Sequence, residues 1–338
     1  MTDKIKQLAP QIWSEIQKAN KILLSCHPNP DGDSVGSVLG MKHALKKLGK
    51  KVTVIWGDST PDKTISMLPG FAEIALKNIF EVNLIEFDLF IIQDSSSLKQ
   101  ISDKGEINFP KSLRTVVIDH HITNTNFAKI NLVDPNYSSV CEMVFDLLKF
   151  WNIKITKEIG LCLFMGMYTD TGGFKYPLVT ENTFVAAAEI ARSGVDFSGA
   201  IFEMENSLDP NSIKLLGAIY SNIEHYFGGN VAICAISASE LTKLGIPQDI
   251  EIPEISNTIK SEIGNNIGIF MIEKNGYTRT SLRTRQPHKF DLGKIAFATG
   301  YGSGHPVAAG ARIPMSISKS KELILETIQK IYPELGKP

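Results

Sequence analysis

Short apolar runs alternate with helix-length stretches through the first two-thirds of the chain. Residues 22–25, 52–56, 89–93 and 115–118 are compact, rich in Ile, Leu and Val, and bounded by polar or turn residues. Apolar runs this short suit strands buried on both faces, as in a parallel sheet. Between them lie helical patterns such as residues 34–48, closed by Gly49 where a helix C-cap favours glycine. This alternation predicts an α/β fold, its first domain a doubly wound, mostly parallel sheet with helices on both faces. Helical periodicity dominates from about residue 139 to 192.

The pattern breaks at Ser193-Gly194 and again at Asp209-Pro210, which predicts a helix-containing linker over 193–227. Gly228-Gly229-Asn230 opens a second pattern, with strands over 231–236, 267–272 and 278–285 and a helix over 292–298. The expected domains are 1–192, holding the larger sheet, and 228–338, a smaller α/β domain, with an active site in the cleft between them.

Composition narrows the function. The 338 residues suffice for two ordinary domains, and 43% apolar with 21% charged residues is a soluble globular composition. A formal net charge of −1 argues against a protein that grips long duplex DNA or RNA, whereas a short oligonucleotide needs only a few cationic contacts. The four cysteines are scattered with no C-x-x-C pair, which reads as reduced core residues. Neither a signal pattern nor an apolar run of membrane-spanning length is present, so the cytoplasm is the expected compartment.

Candidate chemistry gathers at the ends of the expected strands. His27-Pro28-Asn29-Pro30-Asp31-Gly32-Asp33 follows the first run, offering one imidazole and two carboxylates within a stretch stiffened by prolines. The same stretch suits a polar turn with Asp33 or Ser34 capping the next helix. Asp94 ends the run 89–93, and Asp119-His120-His121 follows 115–118. Asp170 comes after an apolar helical run, where the helix macrodipole does not favour a carboxylate. Ligands of open α/β sheets bind outside the carboxyl ends of strands, the edge these residues share. Imidazole with many carboxylates and no thiolate suits Mn²⁺ or Mg²⁺ better than structural Zn²⁺, and the acids exceed what one ion needs. Two ions, bridged by a shared carboxylate, are the expected arrangement, suited to in-line displacement at phosphorus.

In the far domain, period-two alternation puts Arg279, Ser281, Arg283 and Arg285 on one strand face, either a solvated edge or a phosphate-binding surface. Gly300 to Gly310 reads as a glycine-rich loop whose amides could approach an anion. It lacks the spacing of a dinucleotide-binding fingerprint and follows a helix rather than a strand.

Taken in order, these segments resemble the DHH phosphoesterase family with its DHH-associated C-terminal domain. His27-x-x-Pro30-Asp31-x-Asp33, Asp94, Asp119-His120-His121 and Asp170 look like its metal-binding motifs. Gly302-Ser303-Gly304-His305-x-x-Ala308-Ala309-Gly310 looks like its glycine-histidine signature, with Ser303 where glycine is common. The resemblance implies two Mn²⁺ ions, with Mg²⁺ or Co²⁺ as substitutes: His27, Asp31 and Asp94 on one, and Asp33, Asp94, His120 and Asp170 on the other. It implies hydroxide as the nucleophile, His121 at the scissile phosphate and Asp119 orienting the histidines. Arg283 and His305, with Ser281, Gly302, Ser303 and Gly304 around them, would bind the substrate. The two-domain form is most similar to nanoRNases and phosphoadenosine-phosphate phosphatases, which implies hydrolysis of short oligoribonucleotides to mononucleotides and a homodimeric assembly. A cyclic di-AMP or linear dinucleotide phosphodiesterase is the alternative, and a nucleotide-binding protein without turnover a more distant one.

Overall fold

The computed structural model describes residues 1–59, 63–247, 250 and 255–338. The chain divides into two compact units, Met1–Ser207 and Leu208–Pro338. This division falls inside the stretch 193–227 expected as a linker, whose helices are shared between the units.

In the first unit, β1 (Lys21–Ser25), β2 (Lys51–Ile55), β3 (Leu89–Gln93), β4 (Arg114–Asp119) and β5 (Ile130–Val133) form a parallel sheet in the order β2-β1-β3-β4-β5. Its helices are α1 (Asp3–Lys18), α2 (Gly32–Lys47), α3 (Val140–Phe150), α4 (Lys157–Asp170), α5 (Glu181–Ala191) and α6 (Phe197–Glu205). Ile5, Ala9, Ile12 and Ile16 recur at helical spacing on α1 and are wholly buried, each large one contributing about 1.5–3 kcal/mol by leaving water.

Among the described residues, α-helices cover only one face of this sheet. Ile22, Leu24, Leu89, Ile91, Val116 and Ile118 pack with α1 to α5. On the other face, Leu23, Phe90, Ile92 and Val117 pack against Ile79, Ile101, Ile107 and Leu113. Those residues belong to short 3-10 turns and irregular chain, so the expectation of helices on both faces is corrected. A right-handed crossover from β2 to β3 must pass over that face. The connection, however, is punctuated by Pro69-Gly70, Asn78 and Asn83, and its turns stop after three residues each.

The second unit contains α7 (Pro210–Ser221), β6 (Ile223–Tyr226), β7 (Val231–Ile236), α8 (Ala238–Lys243), α9 (Ser256–Ile259), β8 (Ile267–Lys274), β9 (Tyr277–Thr284), α10 (Leu292–Ala298), β10 (Gly302–His305), β11 (Ala308–Ile313) and α11 (Ile317–Ile331). Its mixed sheet runs β10-β11-β9-β8-β7-β6, with only β7 and β8 parallel. The glycine-rich stretch expected as a loop is a hairpin, β10 paired with β11. Its small residues carry little strand propensity, yet the pairing needs them. A β-carbon on Gly302 would stand 2.4 Å from the Gly310 carbonyl oxygen. All four cysteines are free and buried. No helix among the described residues is long and apolar enough to cross a membrane.

Candidate active site

Parallel register builds the first half of the site. Ser25 pairs with Ile92 across β1 and β3, so His27 and Asp94, two residues beyond, leave the sheet side by side. The strand order reverses between β1 and β3, the switch point where open α/β sheets bind ligands. β4 pairs with β3 on the other side and ends at Asp119, delivering His120 and His121 to the same edge.

Close helix packing supplies the other half. A β-carbon on Gly36 of α2 would stand 2.4 Å from the Cys162 carbonyl oxygen of α4, and one on Gly166 of α4 would stand 3.0 Å from the Gly32 carbonyl oxygen of α2. Only glycine permits backbones this near. The approach sets Asp33, in the first turn of α2, beside Asp170, the last residue of α4.

These residues surround the Asp94 carboxylate, which is 3% exposed. Its Oδ2 lies 3.3 Å from His27 Nε2, and its Oδ1 lies 3.8 Å from His120 Nε2 and 3.6 Å from His121 Nδ1. His120 Nε2 is 3.6 Å from Asp170 Oδ2, and His27 Nε2 is 3.7 Å from Asp31 Oδ1. Three sets have their ligating atoms within 4.8 Å of one another: His27, Asp31 and Asp94; Asp33, His120 and Asp170; and Asp94, His120 and His121. Asp94 belongs to two of them. Its backbone is left-handed, at φ 54°, a conformation costing about 1–3 kcal/mol that surrounding structure must impose.

Orientation of the donors fits a cation. His27 Nδ1 is 2.9 Å from the Pro28 carbonyl and His120 Nδ1 is 3.2 Å from the Tyr137 carbonyl. A carbonyl only accepts, so each Nδ1 carries a proton, and Nε2 is the nitrogen aimed inward, able to offer a lone pair to a cation once its own proton is gone. Asp33 is gripped by the amides of Val140 and Cys141, at 2.7 and 2.9 Å, in the first turn of α3. Asp31 caps α2, its Oδ1 accepting the amides of Asp33 and Ser34 at 3.0 Å each, so the cap is neither Asp33 nor Ser34. Asp94 Oδ1 is buried without a hydrogen-bond partner among the described residues, which a bound cation would relieve.

Crowded carboxylates hold protons until a cation balances them. Burial, reinforced by the charges of Asp94 and Asp31, pushes Asp33 up to about 8. Burial and the charge of Asp33 push Asp170 to about 8 as well. Burial opposes a charged His27, but hydrogen bonding to Asp31 and Asp94 outweighs it and carries its pKa to about 11.

His121 is held differently from the other two histidines. Its Nδ1 lies 2.7 Å from Asp119 Oδ1, and Asn124 donates to Asp119 Oδ2 at 2.6 Å. Asp119 is wholly buried, and hydrogen bonding to it raises His121 to about 9. Asn124 was not anticipated; its place five residues after Asp119, in a polar stretch, resembles any turn residue.

The second unit carries a groove of about 540 Å³ lined by Arg279, Ser281, Arg283, Tyr301, Ser303 and Arg312, with Gly302, Gly304 and Gly310 among its small residues. Buried Thr278, Thr280, Leu282 and Thr284 alternate with Arg279, Ser281 and Arg283, as the period of two requires. Arg285 falls beyond the strand and donates instead to the Ser261 carbonyl, so it does not join that row. His305 ends β10 one residue past Gly304 and does not itself line the groove. Arg312 was not singled out in the sequence, because it stands alone among small and apolar neighbours.

Comparison with known proteins places the two units in known families. The DHH family N-terminal domain matches residues 21–167, and the DHHA1 domain matches residues 228–333. The chain is 26% identical to the bifunctional oligoribonuclease and PAP phosphatase NrnA of Thermus thermophilus, over 97% of each chain. Its identity to the protein of the same name from Bacillus subtilis is 27%, over 86% of this chain and 89% of that one. The crystal structure of an exopolyphosphatase-related protein from Bacteroides fragilis superposes with a TM-score of 0.88 at 25% identity, covering 98% of both chains. With both domains matched in order and the cage residues converging on Asp94, the chain belongs to the DHH family and carries a DHHA1 domain.

Proposed function

We propose that this phosphoesterase hydrolyses short oligoribonucleotides to mononucleotides and also removes a phosphate from 3′-phosphoadenosine 5′-phosphate. The observation that carries this reading is the buried Asp94 carboxylate, shared by two sets of ligating atoms and short of a hydrogen bond at Oδ1 among the described residues. His27, Asp31 and Asp94 would hold one divalent cation, and Asp33, Asp94, His120 and Asp170 a second, with Mn²⁺ the ion the donor set favours. Bound there, such ions supply positive charge at phosphorus and lower the pKa of water.

The chain's own groups do the rest. Asp119 holds His121 by Nδ1, leaving Nε2 of a 40%-exposed side chain turned away from the carboxylate. Hydrogen bonding to Asp119 raises His121 to about 9 in the metal-free protein, which favours a protonated ring that can give its proton to a phosphoryl or leaving oxygen. In the groove, Arg283 offers a planar fork to a phosphate, with Ser281, Gly302, Ser303, Gly304 and His305 beside it. The relatives named for oligoribonuclease and PAP phosphatase activity support the substrate class.

A substrate panel with Mn²⁺ tests the reading: di- to pentaribonucleotides, phosphoadenosine phosphate, cyclic di-AMP, its linear form and pyrophosphate. Short oligoribonucleotides and phosphoadenosine phosphate are expected to turn over fastest. A preference for cyclic di-AMP would move the assignment to the dinucleotide phosphodiesterases, and turnover of none would overturn it.

A further inference from the structure

We infer that Arg279 and Arg312 form a second anion subsite in the groove, reached by a nucleotide chain only when it is longer than a dinucleotide. This rests on the reading of the groove as the place where substrate phosphate binds.

Arg279 on β9 and Arg312 on β11 are direct cross-strand partners. Like charges placed opposite one another destabilise a sheet, and both side chains are exposed on the groove. Among the described residues no carboxylate pairs with either guanidinium. Arg312 instead lies over the ring of Tyr277, 5.7 Å from its centroid. A planar anion-binding fork is thereby steadied without being neutralised. The Arg312 amide donates to the Tyr301 carbonyl at 3.0 Å, and the ring of Tyr301, 41% exposed, lines the same groove. An aromatic face beside paired cations is the combination that holds single-stranded nucleic acid, the base on the ring and the phosphate on the charge.

Spacing gives the length rule. Arg279 and Arg283 are four residues apart on the same face of one strand, so their α-carbons stand about 13 Å apart at the usual rise. Six single bonds join neighbouring phosphorus atoms of a nucleotide chain, too few to span that distance. Two links span it. A dinucleotide whose phosphate occupies the Arg283 end therefore leaves Arg279 and Arg312 unused, whereas a 5′-phosphorylated trinucleotide fills both.

The test compares wild type with the double variant Arg279→Gln/Arg312→Gln on 5′-phosphorylated oligoadenylates of two, three and four residues and on phosphoadenosine phosphate, with Mn²⁺. KM for the trimer and tetramer should rise about tenfold, the loss of one charge-assisted contact, while the dimer and phosphoadenosine phosphate keep their constants and so report intact folding. An equal rise at every length, or no rise at any, overturns the subsite. Wild-type protein that cleaves none of the oligomers overturns the proposed function instead. Calorimetric binding of the same oligomers to metal-free protein then decides the subsite, with a length-dependent loss supporting it and a length-independent result or no loss overturning it.

Discussion

The cage around Asp94 and the arginine groove are built on opposite terms. Asp33, Asp94 and Asp119 are at most 3% exposed; the amides of Val140 and Cys141 fix the oxygens of Asp33, and the side chain of Asn124 fixes one oxygen of Asp119. Arg279 and Arg312 are exposed at the β9–β11 end of a sheet face that is packed only farther along, where Phe270 and Ile272 of β8 join a buried cluster. Enclosure raises the strength of every electrostatic contact and fixes donor positions, which chemistry at phosphorus requires. Openness lets long side chains adjust to ligands of differing length. On the proposed function, reaction type would reside in the first unit and the choice among phosphorylated ligands in the second.

Substitutions that separate the two regions should differ in kind. Asp94→Asn should lower kcat with Mn²⁺ by well over the roughly 100-fold that partners outside the ligand set typically cost. Residual activity within tenfold of wild type would remove Asp94 from the centre of the cage. Next in size is a pH effect confined to the first unit. Asp33 and Asp170 are both raised to about 8 in the metal-free cage, so each still holds a proton below that pH and Mn²⁺ must displace it. Apparent affinity should strengthen from pH 6 to 8 by up to about tenfold per unit for each proton released. Calorimetry in buffers of different ionisation enthalpy counts those protons, and an affinity flat across this range would contradict the coupling.

Arg283→Ala should raise KM by about tenfold or somewhat more and leave kcat within a factor of a few, because a charge-assisted substrate contact is lost and no cage ligand is touched. A loss in kcat with KM unchanged would erase the distinction between the regions. Smallest in its direct effect on chemistry is Gly36→Ala, whose β-carbon would meet the Cys162 carbonyl at 2.4 Å. Overpacking of this kind costs about 1–3 kcal/mol. It should lower Tm by several degrees and reduce metal affinity, because α2 carries Asp33 and α4 carries Asp170. A wild-type melt with weakened metal binding would show that α2 does not rest on α4 through this glycine.

Much of the cage was legible because its carriers are strand tips. β3 spans Leu89–Gln93, as its apolar run implied, and Asp94 follows directly. Buried parallel strands advertise themselves by uninterrupted Ile, Leu and Val, and a polar residue at the tip then stands out. The helix contact that brings Asp33 to Asp170 was not legible. Gly32, Gly36 and Gly40 lower helix propensity, and only the partner helix shows why they are there. The second face of the first sheet was misjudged for a related reason: apolar residues of the 3-10 turns, such as Ile79 and Ile101, look like helix faces until Asn and Pro limit their length. In the far domain, strand alternation exposed Arg279 and Arg283. Arg312 sits in a run of alanine and glycine whose pairing depends on the absence of side chains, which no propensity scale rewards.

The grip of α3 on Asp33 has one more consequence. Asp33 stands among the cage carboxylates while its two oxygens take the amide protons of Val140 and Cys141. Charge arriving in the cage must therefore change the electron density those amides see. Their nitrogen and proton resonances become a built-in gauge of cage occupancy, readable without substrate or turnover. A spectroscopist could thus count bound ions in a variant that has lost all activity.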